Sequence, residues 1–342
     1  MTPAPDRSEL LVLSAADVRV VLTHHGCAEA MRAALTAVAA GQAAQPLRSV
    51  VRLAGAGGLL ALMPSFLASG LETGAGRYGL KAICITPGNP AAGLDTHQGV
   101  VLLSDGRTGQ PAALLNASAI TEIRTAAVSV VATELLARPD ASELAVIGTG
   151  VQARAHILAL DAARQLREIR VAGRDAAKAG QFAASLAGQT TAPVRPADTA
   201  RGAIAGADIV VTVTSSAEPV LAREWLAPGV HINAVGACLP GHRELDAETL
   251  GAGVLFADSR ESLLSESGDY RLAVADGVQP QVRATLGEVL TGTAPGRETA
   301  AEITIFESLG LAVQDLAAAQ YAVAAAERRR HGRDSAGTRV RF

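Results

Sequence analysis

The amino-acid sequence predicts an α/β protein that contains one parallel sheet and one antiparallel or mixed sheet. Between residues 144 and 236, short apolar runs alternate with segments of helical spacing, which is the rhythm of a parallel sheet covered by helices. Between residues 45 and 105, strand-like runs instead follow one another with glycine and proline between them. A length of 342 residues is sufficient for two domains of these kinds.

The composition is that of a globular protein with a large core. Hydrophobic residues make up 49%, aromatic residues 3% and charged residues 18% of the chain, and the formal net charge is −3. Few aromatics and no basic stripe argue against a nucleic-acid surface. The chain has no apolar run of transmembrane length and no evident leader peptide, and Cys27, Cys84 and Cys238 lack the spacing of metal ligands. We therefore expect a cytoplasmic protein without metal, membrane or nucleic-acid partners.

Both ends of the chain are predicted to be largely helical. A loose arm over 1–8 is expected to precede a helix that Ser14 caps, with Asp17 completing a weak capping box. A second helix is predicted over 27–40, with the histidine pair His24-His25 in the loop before it. Near the other end, an Ala-rich helix is predicted from about 311 to 327, followed by a solvated basic tail.

Between these ends the strands can be placed from their apolar runs and their Gly and Pro boundaries. In the first half they are predicted at Leu47–Leu53, Gly58–Met63, Tyr78–Ile85 and Val100–Ser104. Pro64 is among the residues expected to separate them. Residues 112–137 have a helical pattern, with Asn116 and Thr121 as candidate start signals. Later strands are predicted at Ile209–Thr214, His231–Gly236, Phe256–Asp258 and Ile303–Phe306, with an irregular, partly helical stretch from 261 to 292.

A strand, a glycine-rich turn, a helix and a second strand follow one another between Glu143 and Arg174. The turn, Gly148-Thr-Gly-Val-Gln-Ala153, fits the dinucleotide fingerprint G-x-G-x-x-G/A in the context that this fingerprint requires. Gly148 would permit the turn and Gly150 the approach of a pyrophosphate, which the N–H groups at the helix N-terminus would bind. We therefore predict a nucleotide site; the alternative is a glycine-rich turn in an ordinary βαβ unit.

The end of the second strand predicts which nucleotide is bound. NAD-binding sites carry an acidic residue here for the ribose 2′-hydroxyl, whereas an arginine suits the 2′-phosphate of NADP. We place Gly173 at the acidic position, with Arg174 next to it. The pair favours NADPH, since no carboxylate repels the phosphate and a planar guanidinium can bind it. The alternative is that Arg174 is solvated, Asp175 binds the 2′-hydroxyl, and NADH is used.

Lysine is rare in this sequence. Of the 30 lysine and arginine residues, only Lys81 and Lys178 are lysines. Lys81 lies in an apolar strand, where a compact cation suits proton transfer or carboxylate binding; the alternative is an edge residue whose amine reaches water. Arg48 and Arg124 are either ordinary surface arginines or, with Lys81, the binding site of a small carboxylate substrate in a cleft between the domains.

Several of these segments together resemble the ornithine cyclodeaminase/μ-crystallin family, from about Leu11 to Tyr321. The shared motifs are Pro46-Leu-Arg48, Leu62-Met-Pro64, Gly79-Leu-Lys81, Arg124-Thr-Ala-Ala127, Ile147-Gly-Thr-Gly-Val-Gln152, Asn233-Ala-Val-Gly236 and Phe306-Glu-Ser-Leu-Gly310. The resemblance implies a usually dimeric NAD(P)-dependent protein. Residues 1–124 with 316–342 would form a substrate-binding and dimerisation domain, and residues 125–315 a Rossmann-like NAD(P)-binding domain.

The resemblance also implies a site, residue by residue. Substrate would contact Arg48, Met63, Lys81, Arg124 and Leu309, with Lys81 as the catalytic residue. Besides Gly148, Gly150 and Arg174, the cofactor would contact Thr96, Arg124, Thr125, Val151, Gln152, Thr214, Asn233, Val235, Gly236 and Ser308.

The chain departs from the family's cyclodeaminases at three positions. Cys238 aligns with their catalytic aspartate, Ala61 with a glutamate, and Gly173 with the aspartate that binds the NAD ribose. The run Pro240–Leu245 is instead similar to one found in ketimine reductases and μ-crystallin-like members. These departures disfavour ornithine cyclodeamination.

The leading hypothesis is therefore a reductase of a small 2-carboxy imine, such as the cyclic ketimine Δ1-pyrroline-2-carboxylate. NADPH would deliver hydride, Arg48 and Arg124 would bind the carboxylate, and Lys81 would protonate or polarise the imine. One alternative is an amino-acid dehydrogenase or ornithine cyclodeaminase. Another is a non-catalytic NADPH-dependent ligand-binding protein, against which the retention of Lys81 and both arginines argues.

Overall fold

The computed structural model describes residues 9–52, 55, 57–68, 76–329 and 335–341. The chain divides into two compact units, one of Met1–Arg124 with Leu311–Phe342 and the other of Thr125–Gly310. Residues 311–315, which the resemblance assigned to the central domain, group here with the chain ends. The roles expected for the two domains remain predictions.

The strands and helices of the described residues are as follows. The strands are β1 Glu9–Leu13, β2 Ala43–Ala44, β3 Ser49–Val51, β4 Leu59–Leu67, β5 Arg77–Ile85, β6 His97–Asp105, β7 Pro111–Asn116, β8 Glu143–Ile147, β9 Glu168–Ala172, β10 Val194–Pro196, β11 Ile209–Thr212, β12 His231–Ala234, β13 Val254–Ala257, β14 Gln281–Thr285, β15 Thr304–Glu307 and β16 Thr338–Arg341. The α-helices are α1 Ala15–Val21, α2 His24–Ala39, α3 Ala117–Leu136, α4 Val151–Ala163, α5 Ala176–Ser185, α6 Ala200–Ile204, α7 Ala247–Ala252, α8 Arg260–Glu266, α9 Gly268–Ala275, α10 Leu286–Leu290 and α11 Ala312–Arg328.

The first unit is built on a mixed sheet of order β16-β1-β7-β6-β5-β4-β2, with β3 also paired to β4. The mixed sheet that the sequence predicts is therefore confirmed. Side chains alternate between the two faces, so that Gly79, Lys81 and Ile83 of β5 are buried while Tyr78 and Cys84 are exposed. The helix α11 packs on the buried face.

Several predicted boundaries in this unit are wrong. Pro64 lies inside β4, opposite Leu80 of β5. On its other side β4 pairs with β3 at Leu60–Leu62 and with β2 at Phe66–Leu67, so the proline falls between these two short partners. The missing N–H of Pro64 therefore interrupts neither the β3–β4 pair nor the β2–β4 pair.

Residues 112–116 were expected to begin a helix but belong to β7, because pairing with β1 and β6 outweighs the helix propensity of alanine and leucine. The helix begins after Asn116, whose side chain accepts from the backbone N–H of Ala119 at 2.9 Å. His24 and His25 lie in the first turn of α2, which Thr23 caps, and not in a loop. The Ser14–Asp17 capping box is confirmed.

The C-terminal tail was expected to be solvated throughout. Within the described residues, Thr338–Arg341 form β16 and pair antiparallel with β1. The predicted loose arm at 1–8 lies outside the described residues. No helix in the described part of the chain is long and apolar enough to span a membrane.

The second unit is a parallel sheet of order β10-β9-β8-β11-β12-β15-β13-β14, in which every strand pair is parallel. Its central strands are fully buried and rich in Val, Ile and Leu, as strands covered by helices on both faces must be. The predicted Rossmann-like α/β fold is thereby confirmed. The strand β14 lies in the stretch predicted to be irregular, where its edge position and its mixed sequence Gln-Val-Arg-Ala-Thr give no clear strand pattern.

The strand order of this sheet reverses at β8. From β8 the chain runs outward through β9 to β10, and then returns to β11 on the other side of β8. Open α/β sheets bind ligands beyond the carboxyl ends of the strands at such a reversal. The glycine-rich turn after β8 lies at this position.

Candidate active site

A buried cluster of charged side chains lies in the first unit. The Lys81 side chain is only 3% exposed, and its Nζ lies 3.1 Å from Oδ1 of Asp315. Nε of Arg124 lies 3.1 Å from the same oxygen. One carboxylate oxygen thus accepts hydrogen bonds from two of the three cations that the sequence assigns to the substrate site. Lys81 does not reach solvent, which excludes the strand-edge alternative for this residue.

Three separate elements bring this cluster together. Lys81 is on β5, Arg124 is on α3, and Asp315 is in the first turn of α11, where the helix dipole favours a negative charge. The helix lies close to the strand, since a Cβ on Gly79 would lie 3.0 Å from Leu316. Gln314 completes the cluster: its Oε1 accepts from Nη1 of Arg124 at 3.0 Å and from the Leu311 N–H at 3.2 Å.

The Lys81 ammonium is held in a strongly perturbing environment. Burial lowers the pKa of Lys81 from 10.5 to about 8; the Asp315 carboxylate opposes this shift, and the positive charges of Arg124 and Arg48 reinforce it. Arg48 is half-buried. Three cations and one carboxylate leave a net positive charge, which suits a ligand that carries a carboxylate.

Two further predicted residues lie in the first unit. Met63 is buried and directly opposite Lys81 in the β4–β5 pair. Thr96 is half-buried just before β6, and its backbone oxygen accepts from the Thr86 N–H at 2.9 Å. The next residue, His97, has a pKa lowered by partial burial and by the charges of Lys81 and Arg124.

In the second unit, the turn between β8 and α4 has the geometry that a dinucleotide requires. Gly148 has a φ of +134°, and a Cβ there would lie 2.8 Å from the backbone oxygen of Val213. Gly150 is the N-cap of α4 and makes no side-chain cap hydrogen bond, and a Cβ there would meet no atom within 4 Å. The first N–H groups of α4 are thus left for an anion. Val151 is 53% exposed, and Gln152 is half-buried.

Among the predicted cofactor residues are several whose buried polar atoms have no hydrogen-bond partner within the described residues. Oγ1 of Thr125 and Oγ of Ser308 have no hydrogen-bond partner within the described residues. Buried hydroxyls without a partner are costly, so such atoms suit contacts to a ligand. Together with the turn, they fit a bound dinucleotide. Asn233 is fully buried as well: its Nδ2 donates to Thr133 Oγ1 at 3.0 Å, while its Oδ1 has no hydrogen-bond partner within the described residues.

The end of β9 fits the predicted 2′-phosphate site. Arg174 is exposed, and a Cβ on Gly173 would lie 3.2 Å from Thr149, a residue of the glycine-rich turn. Oδ1 of Asp175 caps α5 by accepting from the N–H groups of Ala177 at 2.9 Å and Lys178 at 3.1 Å. Asp175 is therefore the N-cap of α5, and its carboxylate is directed to the helix.

The loops after β11 and β12 are held together by a carboxylate that the sequence did not suggest. Glu244 accepts from the Thr214 N–H at 2.5 Å through Oε1 and from the Gly236 N–H at 2.7 Å through Oε2. A Cβ on Gly236 would lie 2.6 Å from the Glu244 carboxyl carbon, so glycine is required there. Thr214 and Gly236 are both predicted cofactor contacts, and Val235 beside them is 8% exposed.

Further buried carboxyls surround Glu244. Asp269 accepts from the N–H groups of Glu244 and Leu245, Ser267 donates to Glu307, and Asp258 accepts from the N–H groups of Leu309 and Gly310. Burial raises the pKa of Glu244, Asp269 and Glu307, and neighbouring carboxyls raise the last two further. Leu309 is 3% exposed, and Cys238 is half-buried.

Sequence reasoning missed the residues that organise both sites. Asp315 and Gln314 stand out only as polar residues at the start of an Ala-rich helix, and Glu244 only as an acidic residue in the Pro240–Leu245 run. No group of three or more His, Cys, Asp or Glu in the described residues is arranged to hold a metal ion.

The geometry defines a class of protein: an α/β protein of two units, one with a Rossmann-like fold and one with a buried cluster of two cations and a carboxylate. Residues 8–329 match the ornithine cyclodeaminase/mu-crystallin family. The chain belongs to this family.

The chain is similar to relatives of several activities. It is 40% identical to the mouse ketimine reductase mu-crystallin over 278 residues, which cover 81% of this chain and 83% of that protein. It superimposes on the Thermococcus litoralis Δ1-pyrroline-2-carboxylate reductase in complex with NADH and L-proline, with a TM-score of 0.90 and 33% identity, covering 97% and 100% of the two chains. An archaeal alanine dehydrogenase dimer with bound NAD gives a TM-score of 0.89 and 32% identity, covering 98% and 99%.

Proposed function

We propose that this protein is an NAD(P)H-dependent reductase that converts a small 2-carboxy imine, such as a cyclic ketimine of the Δ1-pyrroline-2-carboxylate type, into the amino acid. The observation that carries the proposal is the buried cluster of Lys81, Arg124 and Asp315, in which two cations share one carboxylate oxygen. The similarity to a ketimine reductase and to a Δ1-pyrroline-2-carboxylate reductase supports the same reaction.

The cationic residues of the first unit would bind and orient the substrate carboxylate. Arg124 is fixed by Asp315 and Gln314, so its guanidinium loses little freedom when a ligand binds. Arg48 adds a second positive charge from the segment before β3. Holding the carboxylate fixes the imine carbon relative to the rest of the substrate, and such orientation is a major part of catalysis.

Lys81 would hold the proton that the product amine needs. With a pKa of about 8, its ammonium is mostly charged at neutral pH and yet gives up its proton far more readily than an exposed lysine. The bound nicotinamide supplies the hydride. Lys81 would therefore polarise the imine nitrogen by a charge-assisted hydrogen bond and donate to it the proton that the amine product requires.

The proposed coenzyme is NADPH, with NADH as the alternative. Gly173 places no carboxylate at the end of β9, Arg174 is exposed next to it, and the carboxylate of Asp175 is engaged at the N-terminus of α5. These three features favour a 2′-phosphate over a 2′-hydroxyl. The two structural neighbours named above contain NAD or NADH, so the preference is a property proposed for this chain.

We also propose a homodimer formed through the first unit. The face of its sheet that points away from α11 exposes apolar side chains, including Tyr78 at 51% and Val100 at 37%. Apolar sheet faces of this kind are typical of subunit interfaces. The similar archaeal alanine dehydrogenase is a dimer.

The reductase proposal is tested by following NADPH oxidation with a panel of cyclic imines and with 2-keto acids plus amines. Lys81→Ala should lower kcat/KM by at least about 100-fold, which is the lower end of the contribution of a positioned proton donor. Lys178→Ala, the change at the other lysine of the chain, is the matched control and should retain activity.

NADPH affinity should change less than about twofold in both variants, because neither lysine is assigned to the cofactor; protein fluorescence titration measures it. Ornithine with either coenzyme should release no ammonia. If Lys81→Ala retains near-normal turnover, Lys81 has only a structural role and its proposed role in catalysis is refuted.

A further inference from the structure

Asp315 is a buried carboxylate between the two cations of the cluster. Its side chain is 1% exposed, and Oδ1 accepts from Lys81 Nζ and from Arg124 Nε, each at 3.1 Å. Oδ2 has no hydrogen-bond partner within the described residues. The carboxylate therefore makes its described contacts with the two cations through a single oxygen.

We propose that Asp315 is the positioning residue of the active site: its carboxylate holds the Lys81 ammonium and the Arg124 guanidinium side by side and keeps Lys81 charged inside the protein. The inference rests on the proposed function, because it assigns Asp315 to the machinery that binds and protonates the imine.

The first argument is electrostatic. Two buried cations repel each other, and each loses its hydration, so burial of both requires a counter-ion within contact distance. Among the charges that act most strongly on Lys81, Arg124 and Arg48 favour deprotonation and Asp315 is the anion that opposes it.

The remaining groups around the cluster do not replace Asp315. His97, at the start of β6, can contribute only positive charge, and its pKa is lowered by burial and then by the charges of Lys81 and Arg124. Cys27 on α2 is fully buried, and burial raises the pKa of its thiol, so this group is neutral. Asp315 thus supplies the negative charge that the cluster requires.

The second argument is geometric. Gln314 accepts from Nη1 of Arg124 while Asp315 accepts from Nε, so two successive residues of α11 hold two different nitrogens of one planar guanidinium. Two such bonds fix the plane of the group as well as its position. The first turn of α11 therefore orients Arg124 and, through the same carboxylate oxygen, places Lys81 beside it.

The test uses the rarity of lysine. Biosynthetic labelling with [13Cε]lysine gives two signals, from Lys81 and Lys178, whose chemical shifts report the protonation of each amine directly and without turnover. In Asp315→Asn the titration midpoint of Lys81 should fall by at least about one pH unit, because an adjacent opposite charge contributes about 1–3 units. The alkaline limb of the pH profile of kcat/KM should move down by the same amount, while the Lys178 signal stays unchanged.

Two controls separate a positioning role from a structural one. Asp198→Asn changes an exposed aspartate in the other unit and should leave the Lys81 midpoint and the pH profile unchanged. Asp315→Glu keeps the charge but moves it by one methylene, so the Lys81 midpoint should stay within about half a unit while kcat/KM falls at least about tenfold. This variant also serves if Asp315→Asn does not fold.

The outcomes distinguish the inference from the proposed function. An unchanged Lys81 midpoint in Asp315→Asn, or full activity in Asp315→Glu, overturns the positioning role of Asp315. A Lys81 midpoint that falls as expected, in a protein that reduces no imine, overturns the proposed function while the pairing of Asp315 with Lys81 stands.

Discussion

Stability should fall as pH rises through neutrality, and Asp269 is the residue with which to measure this. Asp269 is fully buried, and its Oδ1 accepts from the N–H groups of Glu244 at 2.7 Å and Leu245 at 2.9 Å. Burial, and then the charge of Glu244, raise its pKa from 3.8 to about 7. A carboxyl whose pKa is raised on folding stabilises the fold when protonated, and this contribution is lost as pH rises through the folded-state pKa.

The size of the effect follows from these two values. With a pKa of 3.8 in the unfolded chain and about 7 in the folded one, linkage gives a contribution of about 2–3 kcal/mol at pH 5 and almost none at pH 8. The change corresponds to roughly 5–10 °C in Tm for a unit of this size. Carboxyls with lowered pKa, such as Glu302 at about 2, lose their contribution only at more acidic pH.

The assay compares the pH dependence of two proteins. Asp269→Asn keeps an oxygen for the two backbone N–H groups and replaces Oδ2, which has no partner within the described residues, by a neutral amide. Urea unfolding of wild type and variant between pH 5 and 8 should show the variant gaining about 2–3 kcal/mol relative to wild type as pH rises. For Asp198→Asn, at an exposed position, the free energy of unfolding should depend on pH as it does for wild type. If the free energy of unfolding of Asp269→Asn has the same pH dependence as that of wild type, the reasoning is refuted.

Two further predictions concern the coenzyme and the assembly. The wild type should prefer NADPH over NADH at least about tenfold in kcat/KM, since a charge-assisted pair with the 2′-phosphate contributes about 1.5–3 kcal/mol. Arg174→Ala should remove most of this preference by raising KM for NADPH, and Gly173→Asp should shift the preference towards NADH. If Arg174→Ala leaves the KM for NADPH unchanged, the proposed 2′-phosphate site is wrong. Sedimentation equilibrium of the wild type should give about twice the chain mass of 34.7 kDa. The Tyr78→Glu variant should dissociate to monomers at concentrations at which the wild type remains dimeric. A monomeric wild type would contradict the proposed dimer.

Local signals in the sequence were sufficient for the first strand–helix–strand part of the second unit. The order of β8, glycine turn, α4 and β9 is encoded within about thirty consecutive residues, and the caps at Ser14, Asn116 and Asp175 depend only on residues two or three positions away. Each of these features could be predicted because the groups that interact are neighbours in the chain.

Features that depend on distant partners were not predictable. The strand at 112–116 exists because β1 and β6 flank it, and Pro64 is tolerated because β2 and β3 stop on either side of it. Lys81 and Asp315 are 234 residues apart in sequence, so nothing near either residue indicates their contact. The sequence indicated which cations are unusual, but only the packing of α11 on the sheet identifies the carboxylate that holds them.

The scarcity of lysine also has a consequence for chemical attachment. The chain has two lysine amines, of which Lys178 is exposed on α5 while the Lys81 side chain is 3% exposed and paired with Asp315. An acylating reagent that attacks unprotonated, accessible amines therefore has one lysine to modify in the folded protein. A dye, a biotin group or a solid support coupled through lysine would be carried by α5 at a single defined point, and acylation of Lys81 would appear only as the fold around it opens.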